Sequence, residues 1–312
     1  MMVSLVVIIC THDRSRLLER TLSWLNDAHR PAELAIKLLV VANACTDDTV
    51  AVLDTHSRQD MRGLPLSWIE EETLGKSHAL NKAIKLVDTD IAVFVDDDHR
   101  VDAEFFTAIN QAVKDYPDAG LFCGKVIPDW DRTEPSWVHD EGPYRIYPLP
   151  VPNFNMGDSP CEITATGRIP GGGNLIMRSE IFNIVGSFDI GLGPRGRGLA
   201  GSEDTDFVLR VLAHNIGGQY LPDIVQFHYV DKEHLKLRYI LAKSYQRSRS
   251  ITSVTAEKSR IPAYQWKKFA IYLLKAGCSM SLLRTRFYLV RLMAVLGEMQ
   301  GIRDANSNSD CY

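Results

Sequence analysis

The sequence lacks any CxxC pair and any zinc-like spacing. Its six cysteines (Cys10, Cys45, Cys123, Cys161, Cys278 and Cys311) are scattered, which excludes a disulfide framework and a zinc finger and fits free thiols in a reducing cytosol. No stretch approaches the ~18 uncharged apolar residues that a membrane span needs. No basic segment precedes the apolar start Val3 to Cys10, and THDR follows it in place of a small-residue cleavage site, so the start reads as a first strand and not a signal peptide. There is no internal repeat. That strand runs into CTHDR without a glycine cradle, which argues against a nucleotidyltransferase gripping a triphosphate with a Gly-rich loop. Acidic residues are scarce in one region only: Lys236 to Arg303 holds 14 Lys and Arg against 2 Asp and Glu, and the remainder of the chain is net −16. Two regions with different partners are implied. With 45% hydrophobic and 24% charged residues, disorder is expected only at the ends.

What is present is an alternation of strand and helix patterns. Val3 to Cys10, Lys37 to Ala42, Leu66 to Ile69 and Ile91 to Val95 read as strands; Arg16 to Asp27, Asp47 to Ser57, Lys76 to Leu86 and Ala103 to Lys114 read as helices. Successive βα units predict a parallel, doubly wound sheet whose ligands bind beyond the carboxyl ends of its strands. The central feature is IAVFVDDDHR, in which a strand buried on both faces runs directly into Asp96, Asp97 and Asp98. Three carboxylates at a strand end repel one another unless a cation sits among them, and hard oxygen ligands suit Mg²⁺ or Mn²⁺. An acidic turn ahead of a helix N-cap is the alternative.

From about Gly124 seven prolines and several aromatics mark a long ordered loop region. Gly171 to Asn174 then leads to a short apolar run, Leu175 to Met177, and a helix near Glu180 to Val185. A second glycine cluster (Gly186, Gly191, Gly193, Gly196, Gly198 and Gly201) precedes Ser202, Glu203, Asp204 and a helix, and suggests a mobile lid. Asn43 has an amide able to pair with a base edge, or is a turn residue. Glu203 and Asp204 satisfy a helix dipole or supply a buried base. His228, after LPDIVQF, is a metal ligand or a structural histidine.

Taken in order, VVIICTHDR, VVANACTDDT, GKSHALNKAI, VFVDDD, CGKVIPDW, GGGNLIMRSEIFNIVGSFD, GSEDTDFVLR and LPDIVQFH resemble the glycosyltransferase family 2 pattern on a GT-A fold, most closely that of bacterial exopolysaccharide and surface-glycan enzymes. The resemblance covers about Val3 to Arg249. It implies an α/β, Rossmann-like, mostly parallel central sheet flanked by helices, with a C-terminal helical extension. The divisions it suggests are a catalytic domain over 1–234 (nucleotide-binding half 1–125, acceptor-binding half 126–234), a basic helical extension over 235–303 and a disordered tail over 304–312.

It further implies an inverting enzyme that moves a sugar from a nucleotide-diphosphate donor to a hydroxyl of a glycan or lipid-linked acceptor. By position, Asp204 is the general base, and Asp96 and Asp98 are the first and last acids of the DxD motif. Asp98, Asp96 and His228 then hold Mn²⁺ or Mg²⁺, while Thr11, Arg14, Asn43, Lys76, Asp96, Asp97, Gly173 and Glu203 contact the donor, with Thr11 and Arg14 at the base pocket and Asn43 where uracil is read. The chain departs from the pattern at Ala42, usually an acid, and at Cys45, usually serine, so the donor base is open, with UDP ahead of GDP and dTDP. A catalytically inactive donor-binding subunit and a sugar nucleotidyltransferase of related fold are the alternative functions.

In the extension, Leu235 to Tyr245 and Trp266 to Leu296 are helical in pattern and interleave apolar with basic residues. Three readings follow: an interfacial helix on an anionic membrane, peripheral on its inner face; a helical cap packed on the acidic catalytic domain; or a homodimer surface. No nucleic-acid motif accompanies the charge.

Overall fold

The computed structural model describes residues 2–58, 63–192, 203–255 and 260–307. The chain forms two compact units, Met1–Asp129 with Asn153–Tyr229, and Trp130–Pro152 with Val230–Tyr312.

In chain order the first unit contains β1 (Val3–Thr11), α1 (Ser15–Asp27), β2 (Leu34–Asn43), α2 (Thr49–Ser57), β3 (Leu66–Glu71), α3 (Lys76–Ile84), β4 (Ile91–Phe94), β5 (His99–Val101), α4 (Phe105–Asp115), β6 (Ala119–Asp129), β7 (Cys161–Glu162), β8 (Ile176–Arg178), α5 (Ile181–Val185), α6 (Glu203–Ala213) and β9 (Gly217–Tyr229). The strands form one sheet in the order β3-β2-β1-β4-β8-β6-β9-β5, with β7 paired to β9. The contiguous strands β3, β2, β1 and β4 are parallel, as is β6 with β9, whereas β8, β5 and β7 join antiparallel.

The unbroken apolar runs have a direct cause. Along β1, Leu5, Val7 and Ile9 pack with Leu18, Leu22 and Leu25 of α1, Leu53 of α2 and Phe105, Phe106 and Ile109 of α4. The alternate residues Val6 and Ile8 pack with Ala79, Leu80 and Ala83 of α3, Ile181 of α5 and Phe207, Val208 and Val211 of α6. Successive side chains point to opposite faces, so a strand covered by helices on both sides must be apolar at every position. The chain runs outward from β1 to β3 and then returns to place β4 on β1's other side, which leaves the switch point between the carboxyl ends of β1 and β4. Thr11 and Asp96 to Asp98 lie at that point.

The apolar signals missed β5 and β6. The first is three residues long and, among the described residues, pairs with β9 alone, 129 positions away at His99 and His228; the second spans the onset of the proline-rich stretch and is held by β8 and β9. Asp98 caps no helix, because β5 lies between it and α4; Asp102 precedes α4 and its Oδ1 accepts from Glu104 N–H at 3.0 Å, while Glu104 at the N-cap makes no side-chain cap bond.

The second unit holds α7 (Leu237–Thr255), α8 (Ala263–Gly277) and α9 (Leu282–Ser307). Val138, Val151, Val230 and Leu235 form its small apolar core with Trp130, Trp137 and Leu149, so the segment from Trp130 to Pro152 folds with the C-terminal helices. On α9, Gly297 and Gly301 let the α7 backbone close in. A Cβ at these positions would lie 2.2 Å from Tyr245 O and 2.6 Å from Arg249 O. The tail expected from 304 begins inside α9, where Asp304 accepts a 2.5 Å bond from Arg249 Nε; residues 308–312 lie outside the described residues. So do Gly193, Gly196, Gly198, Gly201 and Ser202, and with them most of the segment read as a lid.

Candidate active site

The site is built from three loop ends of the first unit. After β4, Asp96 is met by Lys76, the first residue of α3, whose Nζ lies 2.6 Å from Asp96 Oδ1. Burial alone would raise the Asp96 carboxyl, but Lys76 holds it well below the usual carboxylate range. Burial likewise works against the Lys76 ammonium, and Asp96 more than reverses it.

Asp97 and Asp98 are buried and share one guanidinium. Arg14 NH1 donates to Asp97 Oδ1 and Asp98 Oδ2, each at 2.9 Å, and Thr11 Oγ1 donates to Asp97 Oδ2 at 2.7 Å. Burial first, and then the charge of Asp98, push the Asp97 carboxyl above its ordinary value against the pull of Arg14. Thr11 and Arg14, expected at a base pocket, therefore turn their polar ends onto the aspartates.

The remaining oxygen of Asp98, Oδ1, is buried with no hydrogen-bond partner. Facing it at 3.6 Å is His228 Nε2. His228 Nδ1 donates to Tyr229 O at 2.5 Å, and His99 Nδ1 donates to Gln226 Oε1 at 2.8 Å. With both Nδ1 protons engaged, each imidazole has its Nε2 lone pair free. Ligand atoms of Asp98, His99 and His228 all lie within 4.8 Å of one another. An orphaned carboxylate oxygen beside two lone pairs, with the second ring atoms already fixed, is a donor set that fits a divalent cation. His228 was expected here. His99 was not, although it is the H of DDDH, because only the pairing of β5 with β9 sets it beside His228, ring centroids 5.1 Å apart. Asp96 is turned instead toward Lys76, with its other oxygen 3.9 Å from His99 Nε2.

The glycine run supplies the third wall. Gly172 to Asn174 make a short 3-10 turn, and Asn174 spans to Gly124 with both amide atoms, Oδ1 accepting from the N–H at 3.0 Å and Nδ2 donating to the carbonyl at 2.7 Å. That bridge presses Gly173 against Asp96, where a Cβ would lie 2.4 Å from Oδ2. Gly172 N–H donates to Asp204 Oδ2 at 2.6 Å, and Thr205 N–H to Oδ1 at 2.7 Å. Asp204 thus sits at the start of α6, near Lys76: a Cβ on Gly172 would be 3.4 Å from both Asp204 Oδ2 and Lys76 Nζ. Glu203 is buried beside it, and burial and then Asp204 raise its carboxyl.

Asn43 differs from its expected use. Its Nδ2 donates to Glu71 O at 3.0 Å and Thr73 O at 2.7 Å, and its Oδ1 accepts from Gly75 N–H at 2.8 Å. The amide ties the end of β2 to the loop that positions Lys76.

Asp96, Asp97, Asp98, Lys76, Thr11, Arg14, Gly173, Glu203, Asp204 and His228 are thus gathered around the β1/β4 switch point, and Asn43 acts on it through the loop ahead of Lys76. In solved structures the same fold recurs in the mannosyltransferase PcManGT from Pyrobaculum calidifontis, in complex with GDP-Man and Mn²⁺ (TM-score 0.59, 18% identity, 99% of this chain and 88% of that one). It recurs also in S. aureus TarS 1-349 in complex with UDP (TM-score 0.56, 16% identity, 98% and 92%). A curated relative, the glucosyl-dolichyl phosphate glucuronosyltransferase of Haloferax volcanii, is 24% identical over 193 residues, covering 61% of this chain and 57% of the relative's length. The model of the family described as glycosyl transferase family 2 matches residues 6–182, more than half of the sequence, and with that match the chain belongs to glycosyl transferase family 2.

Proposed function

We propose that the protein is a metal-dependent, inverting glycosyltransferase that moves a sugar from a nucleotide-diphosphate donor, UDP-sugar first among the candidates, to an acceptor hydroxyl. The acceptor is a glycan or a lipid-linked glycan, as in surface polysaccharide or glycoconjugate synthesis; the Haloferax relative, named for a dolichyl phosphate substrate, is in keeping with the latter. The observation that carries the reading is the orientation of Asp204: two backbone N–H groups fix its carboxylate on the same glycine turn that abuts Asp96, so a base and a donor-binding acid share one wall.

In this reading Asp204 takes the proton of the acceptor hydroxyl as its oxygen attacks the anomeric carbon. The new C–O bond forms on the face opposite the bond to the diphosphate, which breaks and leaves as the nucleoside diphosphate. Lys76 holds Asp96 ionised and in place, and Arg14 bridges Asp97 and Asp98. Asp98 with His99 and His228 would hold the cation, with Asp96 close by; a bound divalent ion supplies charge stabilisation to the departing diphosphate. Two imidazoles in the donor set favour Mn²⁺ over Mg²⁺, which prefers oxygen ligands.

A donor panel scored by nucleoside diphosphate release, run on wild type and Asp204→Asn, tests the proposal. Wild type is expected to release UDP, and Asp204→Asn to keep donor affinity while losing at least ~100-fold in kcat. Pyrophosphate exchange would make the protein a nucleotidyltransferase, and donor binding without turnover an inactive subunit. A mutant with more than about a tenth of wild-type kcat would remove Asp204 from the role, and retained anomeric configuration would overturn the mechanism.

A further inference from the structure

The second unit exposes a surface that the transfer reaction does not use. On α8, Gln265 and Ala276 are buried, and Gln265 Nε2 donates to Glu298 of α9 at 2.7 Å, which fixes the helix's inner side. A neighbouring exposed flank carries Trp266, Ala270, Leu273 and Leu274, the i, i+4, i+7, i+8 spacing of one helical stripe. Trp266 is 51% exposed, Leu273 50% and Leu274 66%, and in the turn to α9 Met280 and Leu282 are almost wholly exposed. A contiguous apolar strip of this kind is uncommon on a surface that faces only water.

The charge around the strip names its occupant. Lys267, Lys268 and Lys275 are exposed on the same helix, and between Arg260 and Leu296 there is no Asp or Glu. No helix among the described residues is long and apolar enough to cross a membrane. Apolar side chains too few to span, a tryptophan among them, Lys267 beside the stripe and Lys268 and Lys275 farther round the same helix, over the rings of Tyr264 and Tyr288, match a helix at the surface of an anionic bilayer, its stripe among the acyl chains and its positive charge drawn to the headgroups. A protein partner of ordinary surface would need a matching acidic rim around an apolar groove; an anionic lipid leaflet presents both chemistries at once.

We propose that α8 and the α8–α9 turn dock this protein peripherally on an anionic lipid surface. The full-length protein is to be mixed with vesicles of phosphatidylcholine alone and of phosphatidylcholine with phosphatidylglycerol, and binding read by flotation. Binding is expected only with phosphatidylglycerol and should fall as salt is raised. A lysine near such a surface contributes about five-fold to the binding constant, so K267Q, beside the stripe, should weaken binding by about five-fold and K267Q/K268Q/K275Q by more. L273S/L274S should abolish protection of Trp266 fluorescence from an aqueous quencher, with a Trp266→Phe control to identify that signal. These side chains are exposed, so the variants should keep the wild-type melting temperature. Failure of the wild type to float, or flotation that ignores the lysines, would overturn the proposal. So would self-association lost in L273S/L274S without lipid binding, which would assign the surface to a second copy. Nucleoside diphosphate release with a water-soluble acceptor is independent of this test.

Discussion

The glycine turn provides a graded test of the site's geometry. Alanine at Gly171, Gly172 and Gly173 adds the same methyl group at three neighbouring positions, but the nearest atoms lie at 3.6 Å (Asp204 Oδ2), 3.4 Å (Asp204 Oδ2 and Lys76 Nζ) and 2.4 Å (Asp96 Oδ2). The first is ordinary contact, and Gly171 has φ −82° and ψ 164°, which any residue adopts. Gly171→Ala should therefore match wild type. Gly172→Ala touches the flexible end of Lys76 and should be mild. Gly173→Ala must displace the Asp96 carboxylate by about 1 Å, and the same methyl would stand 3.0 Å from His99 Cε1. Asp96 cannot retreat freely, because its other oxygen is bound to Lys76 at 2.6 Å. Overpacking of this size costs about 1–3 kcal/mol, and a misplacement of about 1 Å at a reacting site costs on the order of 100-fold in turnover. Urea unfolding and nucleoside diphosphate release on the three variants measure both quantities. Equal activity in Gly171→Ala and Gly173→Ala, or the largest loss at Gly171, would refute the argument that this turn sets the position of Asp96.

Asn43→Ala strands the buried Gly75 N–H and takes one partner from Thr73 O, while Glu71 O keeps its bond from Ala44 N–H, and should cost about 1–3 kcal/mol in urea unfolding; unchanged stability with weakened UDP binding would instead make it a base reader. Gln226→Leu removes the partner that orients His99, so calorimetric Mn²⁺ affinity should fall about 10–100-fold; wild-type affinity would remove His99 from the donor set. Asp90 accepts from Ser4 N–H at 2.8 Å and Ser4 Oγ at 2.7 Å, which holds its carboxyl below 3.8. A lowered folded-state pKa stabilises above the unfolded value, so the advantage of wild type over Asp90→Asn should be full at neutral pH and vanish as pH falls through the lowered pKa; a difference independent of pH would contradict this.

Much was determined by the sequence alone because it is local. Apolar runs at Val3 to Cys10 and Ile91 to Val95 have to be strands covered on both faces, and the helical spacing between them forces parallel units, so Asp96 to Asp98 fall at the carboxyl ends where ligands bind. The order and spacing of the motifs carry the family. Tertiary structure decided what those residues touch. His99 becomes a candidate ligand only when β5 pairs with β9; Asn43 commits its amide to a loop 28 to 32 positions away; Arg14 reaches across the switch point to two aspartates. The segment Trp130 to Pro152 joins the C-terminal helices through a core of Val138, Val151, Val230 and Leu235. Each of these rests on contacts between residues far apart in the chain. Periodicity reports which face of an element is apolar, but a hydrogen bond between distant loops leaves no periodic trace, and only the folded backbone brings its two ends together.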